Sequence, residues 1–147
     1  MVSFVKKMIG VLAFCAAGST IGIFSTANAQ SLSEIRAQEA EQSALDKEVQ
    51  YTNSICGTSM SATIDWPSAV NWPEKPSLSG QCDGALGALE FICKTADGKK
   101  RAQKVRVFQC AGDGKGPSLS GGTLRYGASP NKNGFEPTKT FLEKNLK

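Results

Sequence analysis

The chain has 147 residues, of which 40% are hydrophobic, and a formal net charge of +4 at pH 7. It contains no histidine, so neither a Ser-His-Asp triad nor a Cys-His pair can be built. The length suits one modest domain rather than several.

Residues 1–29 have the features of a cleavable export signal. Lys6 and Lys7 form a basic start, residues 8–23 are largely apolar, and residues 27–29 are Ala-Asn-Ala, a small-x-small cleavage site. We therefore predict a signal peptide and export to the periplasm or the extracellular space of a bacterium, with a membrane anchor as the alternative. No later apolar run approaches the roughly 20 residues that span a bilayer, so no transmembrane segment is expected after cleavage.

The first predicted element of the mature chain is a helix over residues 31–52. A serine at its start can cap the helix, and Glu34 follows in the first turn. Its apolar stripe is thin, and its first half is rich in Glu and Gln, so only the second half is expected to dock. We expect residues 30–44 to form a mobile helical arm and residues 45–147 to form a single disulfide-stapled domain.

A strand and an aromatic connection are predicted next. Residues 58–66 alternate between apolar and polar side chains, which indicates a half-buried strand. The connection at 67–80 is rich in Pro and Ser, and Trp66 and Trp72 are each followed by a proline. Exposed aromatic rings can stack on a sugar, whereas the alternative is that they roof a small core. Both tryptophans are therefore candidate ligand-binding residues.

The remaining elements are one central helix, two strands and a terminal helix. Residues 82–93 place apolar and cysteine side chains on one helical stripe, Asp97-Gly98 signals a turn, and a strand is expected at about 102–110. The glycine-rich stretch 111–122 is interpreted as a loose hairpin turn, because no helix follows its glycines as a phosphate cradle would need. A return strand at 123–127 and a helix beginning at Pro137 complete the chain.

Cysteine usage predicts two disulfides. Cys15 is expected to leave with the signal peptide, and four cysteines then remain, at positions 56, 82, 93 and 110. An even count in an exported chain indicates disulfides, and the absence of Cys-x-x-Cys and of histidine argues against a metal site.

The pairing of these cysteines follows from the helix between two of them. Cys82 and Cys93 would lie roughly 16 Å apart along the helix, whereas a disulfide needs Cα atoms within about 7 Å. If the strands on either side of the helix are parallel, Cys56 approaches Cys93 and Cys110 approaches Cys82. An antiparallel pair would leave Cys93 alone. We therefore predict Cys56–Cys93 and Cys82–Cys110.

Charge is distributed unevenly along the chain. Residues 30–98 carry ten acids and four bases, whereas residues 99–147 carry three acids and eleven bases. The term basic cluster is used here for five of these bases, Lys99, Lys100, Arg101, Lys104 and Arg106. The cluster is a candidate site for an anionic partner such as a cell-surface polymer, with a solvated face as the alternative. No nucleic-acid-binding motif is present, so nucleic acid is not expected.

These patterns predict an α+β domain with a small three-stranded sheet, helices packed on one face and two disulfides. We expect no catalytic residue, metal or cofactor; a hydrolase using carboxylates such as Asp65, Glu74, Asp83 or Glu90 is the weaker alternative. The expected function is a non-enzymatic binding module or inhibitor outside the cytoplasm. Its ligand would be an anionic or carbohydrate envelope component or another protein. A structural or accessory envelope protein, held to its partner through the N-terminal helix, is the alternative.

Overall fold

A capping box begins the first helix of the computed structural model, which describes residues 31–147. The Ser31 hydroxyl accepts a hydrogen bond from the Glu34 backbone N–H at 3.2 Å, and the Glu34 carboxylate accepts one from the Ser31 N–H at 2.7 Å. The helix ends where Gly57 adopts a left-handed conformation, with φ of 68°. The predicted signal peptide and Cys15 lie outside the described residues.

Eight regular elements follow one another in the described chain. They are α1 (Leu32–Cys56), β1 (Ser61–Asp65), α2 (Leu78–Ile92), α3 (Ala96–Ala102), β2 (Val107–Ala111), β3 (Gly116–Ser120), β4 (Thr123–Gly127) and α4 (Phe135–Asn145). A 3₁₀ turn, Trp66–Ala69, follows β1 directly.

The strands form one mixed sheet in the order β1-β2-β4-β3. β1 and β4 both run parallel to β2, and β3 pairs antiparallel with β4. The α+β class is confirmed, but the expected count of three strands is wrong, because β3 lies within the stretch interpreted as a loop. Gly121 and Gly122, both at positive φ, close a tight hairpin, and Pro117 is tolerated because β3 is an edge strand.

The turn expected after α2 is wrong, and the strand that follows it begins later than expected. The Thr95 hydroxyl accepts a hydrogen bond from the Gly98 N–H at 3.0 Å and thereby caps α3, so this stretch is helical. A Cβ on residue 98 would lie only 1.8 Å from the Ile92 carbonyl oxygen, so the glycine permits close packing rather than a turn. The strand therefore begins at Val107 rather than near residue 102.

The helices pack on one face of the sheet, as predicted. That face carries Ile64, Phe108 and Leu124, which are buried beneath α1, α2 and α4. The other face is polar, and several of its small side chains, such as Thr63 and Ser118, are exposed.

Both predicted disulfides are confirmed. Cys56–Cys93 joins the ends of α1 and α2 with a Cα separation of 5.1 Å, and Cys82–Cys110 joins α2 to β2 at 5.9 Å. The parallel pairing of β1 with β2, on which the prediction depended, is also present. The bridges close loops of 37 and 28 residues. Loops of that length stabilise a fold by roughly 3–4 kcal/mol each in the chain-entropy model.

Candidate functional site

The segment that carries the two tryptophans is fixed to the end of the sheet. The Ser68 hydroxyl donates a hydrogen bond to the Asp65 carbonyl at 2.6 Å and accepts one from the Gly112 N–H at 2.9 Å. One side chain therefore ties the 3₁₀ turn to both β1 and the residue after β2.

Trp72 is held in one orientation by its own polar group and by close packing. Its indole Nε1 donates to the Pro76 carbonyl at 2.8 Å, and its backbone N–H donates to the Ala69 carbonyl at 2.9 Å. A Cβ on residue 112 would lie 3.0 Å from the Trp72 ring and 3.1 Å from the Ala69 Cα. Gly112 thus lets the aromatic segment rest directly on the backbone, and the segment is pre-organised without a ligand.

The α1 helix reaches the domain from its middle onward. The Glu41 carboxylate accepts a hydrogen bond from the Ser79 N–H, in the first turn of α2, at 2.8 Å. The Gln42 amide donates to the Ala62 carbonyl on β1 at 3.2 Å. Residues 31–37 are exposed along the helix that leads to these contacts. The mobility of residues 30–44 stays a prediction.

A groove of about 770 Å³ lies between α1 and the aromatic segment, and we refer to it as the tryptophan groove. Its α1 wall is formed by Glu34, Ala37, Gln38 and Glu41, which share one helical face because of their spacing. Its opposite wall is formed by residues between 66 and 78, including Trp66, Val70, Trp72 and Glu74. A second hollow of about 400 Å³ shares Trp66 with the groove and is lined otherwise by residues of α1.

The tryptophan groove combines apolar and acidic surface. Val70 is 79% exposed, and both tryptophan rings are half-buried. Among the described residues that line the groove there are three carboxylates and no lysine or arginine. The second hollow adds Glu39 and Asp46, again without a base among its described lining residues. The site therefore offers aromatic faces within a field that attracts positive charge.

Three bases of the basic cluster form hydrogen bonds within the protein, and the other two are exposed to solvent. Arg101 donates to the Leu146 carbonyl at 2.9 Å, Lys104 donates to the Lys147 carbonyl, and Arg106 donates to the Gly121 carbonyl at 3.1 Å. Lys99 and Lys100 point into solvent on α3. The structure thus does not present the five bases as one uncommitted patch, and their role in binding an anionic partner stays a prediction.

A second charged cluster was not predicted from the sequence. Arg125 on β4 donates to the Asp113 carboxylate at 2.8 and 3.3 Å and to the Asp65 carboxylate at 3.1 Å. The hydrogen bonds from Arg125, helped by Lys115, hold the pKa of Asp113 well below its usual range, although burial opposes the shift. The same hydrogen bond raises the pKa of Arg125. The cluster ties the loop before β3 to the polar face of the sheet.

The four carboxylates considered for hydrolysis lie in different surroundings. Asp65 pairs with Arg125, and Glu90 accepts a hydrogen bond from the Thr52 hydroxyl at 2.7 Å. Glu74 lines the tryptophan groove, whereas Asp83 lines a separate hollow beside residues 131–134. Within residues 31–147, no group of three or more His, Cys, Asp and Glu side chains could hold a metal ion.

Comparison of the chain with protein-family models, with curated proteins and with solved structures gives no match. The two disulfides indicate folding in an oxidising, exported environment. Over residues 31–147, no helix is both long and apolar enough to cross a membrane.

Proposed function

We propose that the protein is a non-enzymatic binding module that acts outside the cytoplasm of a bacterium and takes its ligand in the tryptophan groove. The observation that carries this proposal is the fixed aromatic wall. Trp72 is oriented by its indole hydrogen bond and by Gly112, and Val70 beside it is 79% exposed. Rigid aromatic anchors that are ordered before binding lose little conformational entropy when a ligand arrives.

The groove also unites two surfaces that the sequence suggested separately. The first half of α1 and the tryptophan segment form its two walls, so a partner that contacts the arm meets the aromatic rings as well. The accessory-protein alternative is favoured by Leu32 and Ile35, which are 63% and 38% exposed on the first turns of α1. In that alternative the partner would bind the end of the helix rather than the groove.

Intrinsic fluorescence tests the proposal, because the chain has only two tryptophans and both line the groove. We would titrate the mature protein with purified probes of three classes: a cationic peptide, an anionic polysaccharide and a neutral oligosaccharide. At least one class should shift the emission with saturation, and V70S should weaken that shift. If no class shifts the emission, or if L32S abolishes binding while V70S leaves it unchanged, the groove is not the binding site.

A further inference from the structure

We infer that the ligand of the tryptophan groove is an extended, cationic segment of a partner protein. The inference rests on the proposed function and names the ligand class of that site. It is drawn from the sign of the charge around the groove, from the aromatic rings beside that charge, and from the length of the acidic wall.

Every charged side chain that lines the groove or the second hollow, within the described chain, is acidic. The five are Glu34, Glu39, Glu41, Asp46 and Glu74. Glu41 accepts the Ser79 N–H with one carboxylate oxygen. The hollows are open to solvent, and at 0.1 M salt charges act on one another over about 10 Å. Arg36, Lys47 and Lys75 belong to the same segments but line neither hollow. The carboxylates that line the two hollows therefore favour a cation over an anionic polymer.

The aromatic rings select among cations. Lysine and arginine side chains are attracted to the face of a tryptophan ring and also cover apolar surface with their aliphatic stems. Trp66 borders both hollows, so a cation in either one meets its indole. Val70 and Pro73 add apolar contact for the neighbouring residues of such a segment. A hydrated metal ion would use none of this apolar surface.

The length of the acidic wall indicates a chain rather than a single side chain. Glu34 and Glu41, the carboxylates of the α1 wall, are seven residues apart, which corresponds to about 10 Å along the helix. An extended peptide advances about 3.3 Å per residue, so about three residues would follow the wall. Basic side chains of such a segment would reach the carboxylates, and its other residues would contact the tryptophan side.

A lysine–proline decapeptide with alternating residues is a suitable probe, because its polyproline II conformation is already extended. We expect it to shift the tryptophan emission with saturation, whereas a glutamate–proline decapeptide of the same length should not. Raising the salt concentration from 50 to 300 mM should weaken the binding severalfold, because the attracting charges are exposed.

A matched pair of double variants isolates the groove charges. E34Q/E74Q removes two carboxylates from the groove while glutamine still completes the capping box, and E48Q/E143Q removes two exposed carboxylates elsewhere. Exposed ion pairs contribute about 0.2–1 kcal/mol each, so E34Q/E74Q should raise the Kd about 2- to 30-fold. The control double variant should stay within about twofold. Circular dichroism would verify that both variants are folded.

Different results would overturn the inferred ligand class and the proposed role of the groove as a binding site. If a hexasaccharide of N-acetylglucosamine shifts the emission and the lysine–proline peptide does not, the groove is a binding site but the inferred ligand is wrong. Equal binding of both peptides, or an unchanged Kd in E34Q/E74Q, would also overturn the inference. Concentration-dependent self-association that E34Q/E74Q abolishes would overturn it too, because the occupant would then be a second copy of this chain. If no probe shifts the emission, both proposals fail.

Discussion

The tryptophan groove and the basic cluster are both rich in charge, but they differ in what their side chains contact. Three of the five bases donate hydrogen bonds to backbone carbonyls of their own chain, at the C-terminal end and at the β3–β4 turn. In the groove, internal hydrogen bonds use the Trp72 indole N–H and one carboxylate oxygen each of Glu34 and Glu41, while both tryptophan rings, Val70 and Glu74 border open space. A run of like charges in a sequence therefore does not by itself mark a binding surface. Charged side chains that already form hydrogen bonds within the protein are less available to a ligand.

The Cys56–Cys93 disulfide links the two regions, and we expect its removal to cause the largest loss of stability. Cys56–Cys93 joins the last residue of α1, whose first half forms a wall of the groove, to the C-cap of α2, just before the helix α3 that carries part of the basic cluster. We expect C56S/C93S to lower the free energy of unfolding by about 2–5 kcal/mol, because the unfolded chain regains the entropy of an open loop. Urea denaturation of the variant and the wild type measures this loss. A loss below about 1 kcal/mol would mean that helix packing alone holds both regions.

Asp113 and Arg125 form an ion pair within the chain, and its contribution to stability can be compared with that of the internal contacts in the basic cluster. We expect D113N to lose about 1.5–3 kcal/mol at pH 7, the range for hydrogen bonds to charged groups. The pKa of Asp113 is lowered in the folded state from its ordinary value of 3.8. Its contribution should therefore be complete above that value and decrease as the pH falls below it.

Urea denaturation of D113N and the wild type from pH 7 to pH 2.5 tests this pH dependence. The difference in stability between the two proteins should stay constant down to about pH 5 and shrink below about pH 4. A difference that already declines between pH 7 and pH 5 would contradict a lowered pKa of Asp113.

Gly112 tests whether the aromatic wall of the groove is held by close packing. G112A places a methyl group 3.0 Å from the Trp72 ring and 3.1 Å from the Ala69 Cα, so the aromatic segment must move. We expect a loss of about 1–3 kcal/mol and a changed tryptophan emission spectrum. G87A is the matched control, because its nearest new neighbour lies at 3.7 Å and alanine favours a helix interior. Equal effects of the two variants would show that the wall is not tightly packed.

The bases of the basic cluster should differ in how much each contributes to the stability of the fold. R101A removes a hydrogen bond to Leu146 and an ion pair with Asp97 at 2.9 Å, so we expect a loss of about 0.5–1.5 kcal/mol. K99A changes an exposed side chain and should stay within about 0.5 kcal/mol of the wild type. Thermal unfolding measures both variants. If K99A is as destabilising as R101A, then bases with internal hydrogen bonds do not stabilise the fold more than the exposed bases do.

Features that depend on neighbouring residues could be predicted from the sequence, whereas features that depend on contacts between distant segments could not. The disulfides could be predicted because the length of one helix excludes Cys82–Cys93 and because parallel strands fix the remaining pairs. β3 was missed because Pro117 and the surrounding glycines disfavour a strand, while its edge position, which permits them, is a property of the assembled sheet. The groove was missed as a unit because its walls are brought together by Glu41, Gln42 and Ser68 hydrogen bonds between segments distant in sequence.

The most direct test of the groove as the binding site is a titration of the ¹⁵N-labelled mature protein with the lysine–proline decapeptide, followed by heteronuclear NMR. The two indole N–H signals report the groove, and the backbone amides of residues 99–106 report the basic cluster. We predict that the Trp66 indole and the amides of residues 34–46 and 66–74 shift with one saturating affinity, while residues 99–106 do not. Shifts concentrated at residues 99–106, with both indole signals unchanged, would contradict the account.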